Sequence, residues 1–172
     1  MKAVIDSNVL MQILGELSNG LVCPITKAEI DKLEGRADAL LERYSPNDWM
    51  ILIPAPVIAE VFIKIDKAKH QEYVNRINAV SSISIVAFDE LCAITCANII
   101  SVEEAKQMKS PADTWAKVAI DRQIISIAKA HNADEVWSHD IKVLKKSKAL
   151  GMKAMSLADI EPIPRQASLG EF

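Results

Sequence analysis

Four acids in this chain are placed where they could do chemistry: Asp6, Glu60, Asp121 and Asp140. Asp6 ends the apolar run at the N-terminus, and Asp140 follows the short apolar run Val136–Ser138. Glu60 sits among Val57, Ile58, Val61 and Phe62, just after another apolar run. Asp121 has Val118, Ile124, Ile125 and Ala128 at helical spacing, so its carboxylate lies on the apolar stripe of its own helix. A buried charge needs a cation or hydrogen-bonding partners. Taken singly, each has a plainer reading: Asp121 as a structural ion pair or boundary residue, Glu60 as an exposed acid early in a helix. Gathered together, four carboxylates would repel one another and would be tolerated around a hard divalent cation, with Mg²⁺ or Mn²⁺ the natural choice for oxygen ligands.

The elements that must position these acids alternate. Strands are expected at Lys2–Ile5, Met50–Ile53, Ile83–Phe88, Val136–Ser138 and Lys153–Leu157. Between them the spacing predicts helices. One is capped by Thr26 with Glu29 reaching back, and its stripe runs Ile30, Leu33, Ala37, Leu40, Leu41, Tyr44. A second follows Pro56, and a further segment lies around Tyr73, Val74 and Ile77. Another runs from Asp89 to about Ala105, and one from Ser110-Pro111-Ala112-Asp113 to about His131. The last, Ile141–Ala149, is closed by Gly151. Alternation of this kind implies a parallel sheet covered on both faces, with ligands bound beyond the carboxyl ends of the strands. Asp6 and Asp140 fall there.

The 172 residues fit one domain, expected over residues 1–160, with a helical insertion over about 15–50 and a loose tail over 161–172. Half the residues are apolar and a quarter charged, which is a globular composition. No apolar run is long enough to span a bilayer and no signal peptide opens the chain, so a cytoplasmic protein without a membrane partner is expected. Cys23, Cys92 and Cys96 read as reduced thiols, and the two four apart lack further soft ligands for zinc. The net charge of −3 argues mildly against nucleic acid. Its distribution matters more: Lys142, Lys145, Lys146, Lys148 and Lys153 follow Asp140 with no acid among them. Alone, that run reads as a solvated helix face. His70, His131 and His139 read as surface or supporting residues rather than catalytic bases, and Trp115 and Trp137 as core or interface.

The segments around the acids resemble PIN domains, the family of the VapC-like toxin ribonucleases. "VIDSNVL" resembles the opening motif, and "IPAPVIAEVF" the second, with Glu60 on its acid. "AIDRQIISIAKAHNADEVWSHD" resembles the third and fourth, with Asp121 and Asp140 on the acids and Ser138 on the small hydroxyl position. Order and spacing match from Met1 to about Leu157. Two features depart from the pattern: the segment Gly15–Met50 is longer than in the smallest members, and Val143 stands where some members carry a further acid.

The resemblance implies a three-layer α/β/α fold whose five-stranded parallel sheet has the order 3-2-1-4-5. It implies a metal-dependent ribonuclease in which Asp6, Glu60, Asp121 and Asp140 hold one or two Mg²⁺ or Mn²⁺ ions. Asn8 and Ser138 would orient those carboxylates, and Lys142, Lys145 and Lys146 would grip RNA phosphates. An antitoxin protein and a homodimer are partners it admits without deciding on either. Two alternatives remain: a PIN-like interaction module without catalysis, and a haloacid-dehalogenase-type phosphatase. The phosphatase would need an acid where Asn8 stands.

Overall fold

The computed structural model describes residues 1–17, 20–45, 48–109, 111 and 114–164. Its strands are β1 (Lys2–Ile5), β2 (Met50–Pro54), β3 (Ile83–Val86), β4 (Glu135–Trp137) and β5 (Lys153–Met155). All pair in parallel, in the order β3-β2-β1-β4-β5, as the resemblance implies. The helices are α1 (Ser7–Leu14), α2 (Leu33–Arg43), α3 (Ala55–Lys64), α4 (His70–Asn78), α5 (Glu90–Ile99), α6 (Val102–Met108), α7 (Trp115–Ala130) and α8 (Ile141–Ala149).

The central strand shows why the sheet must be sandwiched. Ala3, Val4 and Ile5 are all fully buried. Successive side chains on a strand point to opposite faces, so both faces of β1 are covered. Each such aliphatic side chain contributes about 1.5–3 kcal/mol on burial. Val4 pairs with Leu52 on one side and Val136 on the other, and Ile5 with Trp137. Trp137 is fully buried, whereas Trp115 is 57% exposed. Cys92 and Cys96 are free thiols buried on one face of α5. Among the described residues no helix is long and apolar enough to cross a membrane.

Several local expectations need correction. Thr26 caps no helix: its Oγ1 accepts the Ala28 amide within a hairpin-like excursion, where Val22 bridges Glu29 antiparallel. The Thr-x-x-Glu spacing lies across that turn, because Lys27 takes a left-handed backbone (φ 61°). Helix α2 begins later, behind Lys32, which has no side-chain capping bond. The helix expected to run unbroken from Asp89 to Ala105 divides at Ile100–Ser101, where Ser101 and Glu104 form a complete capping box. Helix α7 starts at Trp115 behind the N-cap Thr114; Ser110, Ala112 and Asp113 lie outside the described residues. Of the tail expected over 161–172, residues 161–164 are described. The Ile163 amide donates to the Gly35 carbonyl at 3.1 Å, and the Arg36 guanidinium donates to the carbonyls of Leu157 and Ile160. Only glycine permits this approach, since a Cβ on Gly35 would lie 2.6 Å from the Ile163 carbonyl oxygen. Residues 165–172 lie outside the described residues.

Candidate active site

Asp6 leaves β1 and caps α1. Its Oδ1 accepts the Val9 amide at 3.0 Å, which satisfies one open N–H of the first turn. Its Oδ2 accepts the Ser138 hydroxyl and the His139 amide, the latter at 3.0 Å. The side chain is nearly sealed from water. Burial pushes its carboxyl above the usual range, against the pull of the bonds from Ser138 and Val9.

Asp140 reaches the same place from the neighbouring strand. It lies three residues beyond Trp137, which pairs with Ile5, and it caps α8 with Oδ1 on the Lys142 amide at 2.8 Å. Ser138 joins the two acids, donating to Asp6 and accepting the Asp140 amide at 2.9 Å. The strand-end sequence Ser-His-Asp thus folds into a tight turn over Asp6.

Asp121 approaches from the middle of α7, where the sequence placed it on the apolar stripe. Val118, Ile124, Ile125 and Ala128 are buried around it, and it is itself 7% exposed. Its carboxyl is pushed up to about 6, chiefly by burial. The nearby charges of Asp140 and Asp6 add to that push, and Lys117 opposes it. The three aspartates therefore share one electrostatic environment.

Lys117, one turn before Asp121 on α7, is the member the sequence reading missed. Its ammonium donates to Asp121 Oδ2 at 3.0 Å and also to Asp140 Oδ2. Burial works against the ammonium, but the two carboxylates outweigh it and hold its pKa above the usual lysine value. The Asp140 carboxyl likewise resists burial and lies below its usual range, because Lys117 and the Lys142 amide bind it. The signal was available: a buried acid needs a cation, and the residue four before it on the same helix is a lysine.

Glu60 stands apart from this group. Its Oε2 accepts the Ser7 hydroxyl at 2.8 Å and its Oε1 pairs with Lys64 at 3.0 Å. Ser7, adjoining Asp6, makes the link expected of Asn8. Asn8 itself is half-buried and makes no side-chain hydrogen bond among the described residues. His139 sits between the hairpin and the segment after β5: Nδ1 faces the Val22 carbonyl and Nε2 accepts the Leu157 amide, both at 3.4 Å. Burial lowers its pKa, against the charge of Asp6.

Lys142, Lys145 and Lys146 line an open groove with Glu104 and Gln107, between α6 and α8. Lys146 is bonded to Glu104 at 2.6 Å, and with the Ser101 amide it draws the Glu104 carboxyl down to about 2. Lys145 is exposed and Lys142 half-buried. Val143, standing where some PIN domains carry an acid, is buried in the core.

The donor set offered by Asp6, Asp121 and Asp140 is entirely hard oxygen, suited to Mg²⁺ or Mn²⁺ and not to soft metals. A cation already bridges two of its members. As the side chains stand, no three His, Cys, Asp or Glu residues among those described are grouped closely enough to hold a metal ion. The donor chemistry is that of a hard divalent cation, and in this arrangement the Lys117 ammonium lies between Asp121 and Asp140.

No family model and no curated protein matches the chain. Solved structures do match it. One is a chain of the crystal structure of VapBC2 from Rickettsia felis bound to a DNA fragment from their promoter. It aligns with a TM-score of 0.57 and 19% identity, covering 91% of this chain and 98% of that one. The likeness is one of fold, and it is the α/β fold, strand order 3-2-1-4-5, that the PIN-domain resemblance implies.

Proposed function

We propose that the protein is a metal-dependent endoribonuclease of the PIN-domain type that hydrolyses RNA phosphodiester bonds. The observation that carries this reading is the meeting of Asp6, Asp121 and Asp140 at the carboxyl ends of β1 and β4, with a cation bonded between two of them. Asp6, Asp121 and Asp140 would hold Mg²⁺ or Mn²⁺, with Glu60 joining through Ser7. Bound there, a divalent cation supplies an activated water and neutralises charge developing at phosphorus. The chain's own part is orientation. Ser138 and the Val9 and His139 amides fix both oxygens of Asp6, and the Lys142 amide fixes one oxygen of Asp140. Lys142 and Lys145 flank the site on α8 and would hold backbone phosphate without reading sequence. The fold likeness to a chain of VapBC2 supports the proposal that an antitoxin-like protein binds this one.

The test is RNA cleavage by protein stripped with EDTA and then resupplied with Mg²⁺ or Mn²⁺. Cleavage restored only by the metal is expected; cleavage that continues in excess EDTA would overturn the reading. One observation favours a second reading, an interaction module without catalysis: Lys117 already satisfies Asp121 and Asp140. On that reading neither Mn²⁺ binding nor cleavage occurs.

A further inference from the structure

We infer that Lys117 is a built-in counter-cation that a divalent metal must displace from Asp121 and Asp140, so that this lysine sets the protein's metal affinity. The inference rests on the reading of the acids as a metal site. It identifies Lys117 as a positioning residue for that site.

The oxygen atoms decide the matter. Both oxygens of Asp6 accept hydrogen bonds from Val9, Ser138 and His139, which orient them and leave lone pairs for a metal. Asp140 Oδ1 is engaged by the Lys142 amide. The Lys117 ammonium binds the other oxygen, Asp140 Oδ2. The same ammonium binds Asp121 Oδ2 at 3.0 Å. The ammonium therefore occupies the position between Asp121 and Asp140, and a divalent ion entering there would meet its positive charge at close range, so metal and lysine compete for one place. The position is built into the helix: Thr114 Oγ1 accepts the Lys117 amide at 3.2 Å, fixing the first turn, and Asp121 follows one turn later. Release is sterically open, since the Lys117 side chain is 42% exposed and can swing into solvent. Without metal, the ammonium relieves the repulsion between Asp121 and Asp140. With metal, that task passes to the ion.

Two measurements test this on the full chain. In protein with ¹⁵N-labelled lysine, the side-chain NH₃⁺ resonance of Lys117 is expected to be visible and protected from exchange in EDTA. It should be lost on saturation with Mg²⁺, with Lys117→Arg providing the assignment. A protected resonance that survives saturating Mg²⁺, or none in EDTA, would overturn the inference. In the second measurement Mn²⁺ is titrated into wild type and Lys117→Gln by calorimetry. The variant should bind at least about tenfold more tightly, the factor expected when the competent state is populated one part in ten. Equal or weaker binding by a folded variant would overturn the inference and leave the metal site standing. Mn²⁺ binding to neither protein would overturn the metal reading together with the inference. If Lys117→Gln does not fold, the wild-type resonance alone decides.

Discussion

The Ser138 hydroxyl ties Asp6 to Asp140: it donates to the Asp6 carboxylate and accepts the Asp140 amide. One small side chain thus sets the mutual orientation of two acids that are 134 residues apart in sequence (140 less 6). Ser138→Ala is expected to lower Mn²⁺ affinity and RNA cleavage by roughly 10- to 100-fold, as for other groups that orient metal-binding carboxylates. It should cost about 1–3 kcal/mol of stability, because the buried Asp6 oxygen loses a donor. Mn²⁺ calorimetry and urea melts of the variant check both. Ser138→Thr, which keeps a hydroxyl, should recover part of the affinity.

Asp121 should make the metal-free protein less stable as pH rises. The unfolded chain releases this proton near the ordinary value of 3.8, and the native protein near 6. Between those values the native state holds more protons, so stability falls with increasing pH. The span corresponds to at most about 3 kcal/mol. The raised Asp6 carboxyl acts in the same direction, whereas Asp140, drawn down, acts below its usual range. Asp121→Asn is therefore expected to melt higher than wild type in EDTA at pH 7, to lose most of the slope between about pH 4 and 6, and to cleave no RNA. Melting curves across that range in EDTA are the check, and a variant that melts well below wild type at pH 7 would mark Asp121 as a structural ion-pair partner of Lys117.

The alternation of strands and helices and the unusual position of Asp121 could be read from local signals, whereas the strand order followed only from the resemblance to PIN domains. Buried strands show as continuous apolar runs, and a carboxylate on an apolar helical stripe shows as a break in the pattern. What could not be read depends on partners distant in sequence. Glu60 looked equivalent to the aspartates, yet Ser7 and Lys64 claim its oxygens. Asn8 fits the motif but Ser7 makes the bond, since the turn of α1 after Asp6 decides which side chain faces inward. The Thr26–Glu29 and Ser101–Glu104 pairs share one spacing, and only the second caps a helix. Backbone conformation at Lys27 separates them, and nothing local in the sequence announces it.

The lysines after Asp140 should not contribute equally to RNA binding. Lys146 is bonded to Glu104, so its gain from a phosphate is offset by losing that partner. Replacing the exposed Lys145 by Ala should reduce the salt slope of single-stranded RNA binding by about 0.7, the value of one lost contact. Adding Lys146→Ala should change the slope by much less. Fluorescence anisotropy over a salt series measures this, and an unchanged slope in Lys145→Ala would make the run a solvated face.

Glu135 shows that a buried acid in this fold need not belong to the site. It opens β4, whereas Ser138 lies past the end of that strand, so Glu135 stands at the opposite end of the strand from the aspartates. It is fully buried and accepts from Arg43 at 2.6 Å, from Tyr44, and from the Trp137 indole at 3.1 Å. Its bonds tie the end of α2 to the sheet. Tyr44, itself fully buried, can be changed to Phe at nearly constant shape, which removes one donor from a sealed carboxylate. That should cost about 1–3 kcal/mol. Arg43→Ala should also destabilise, though its side chain is 35% exposed and water will screen part of the loss. Neither change should alter Mn²⁺ affinity, because the one link from this network to the aspartates is a backbone bond, the Asp6 amide donating to the Trp137 carbonyl at 3.0 Å, which neither change removes. Urea melts paired with Mn²⁺ calorimetry on Tyr44→Phe make the comparison. A lowered midpoint with wild-type metal affinity is expected, opposite to Ser138→Ala, where affinity falls most. Metal affinity that dropped in step with stability would instead couple the two ends of β4.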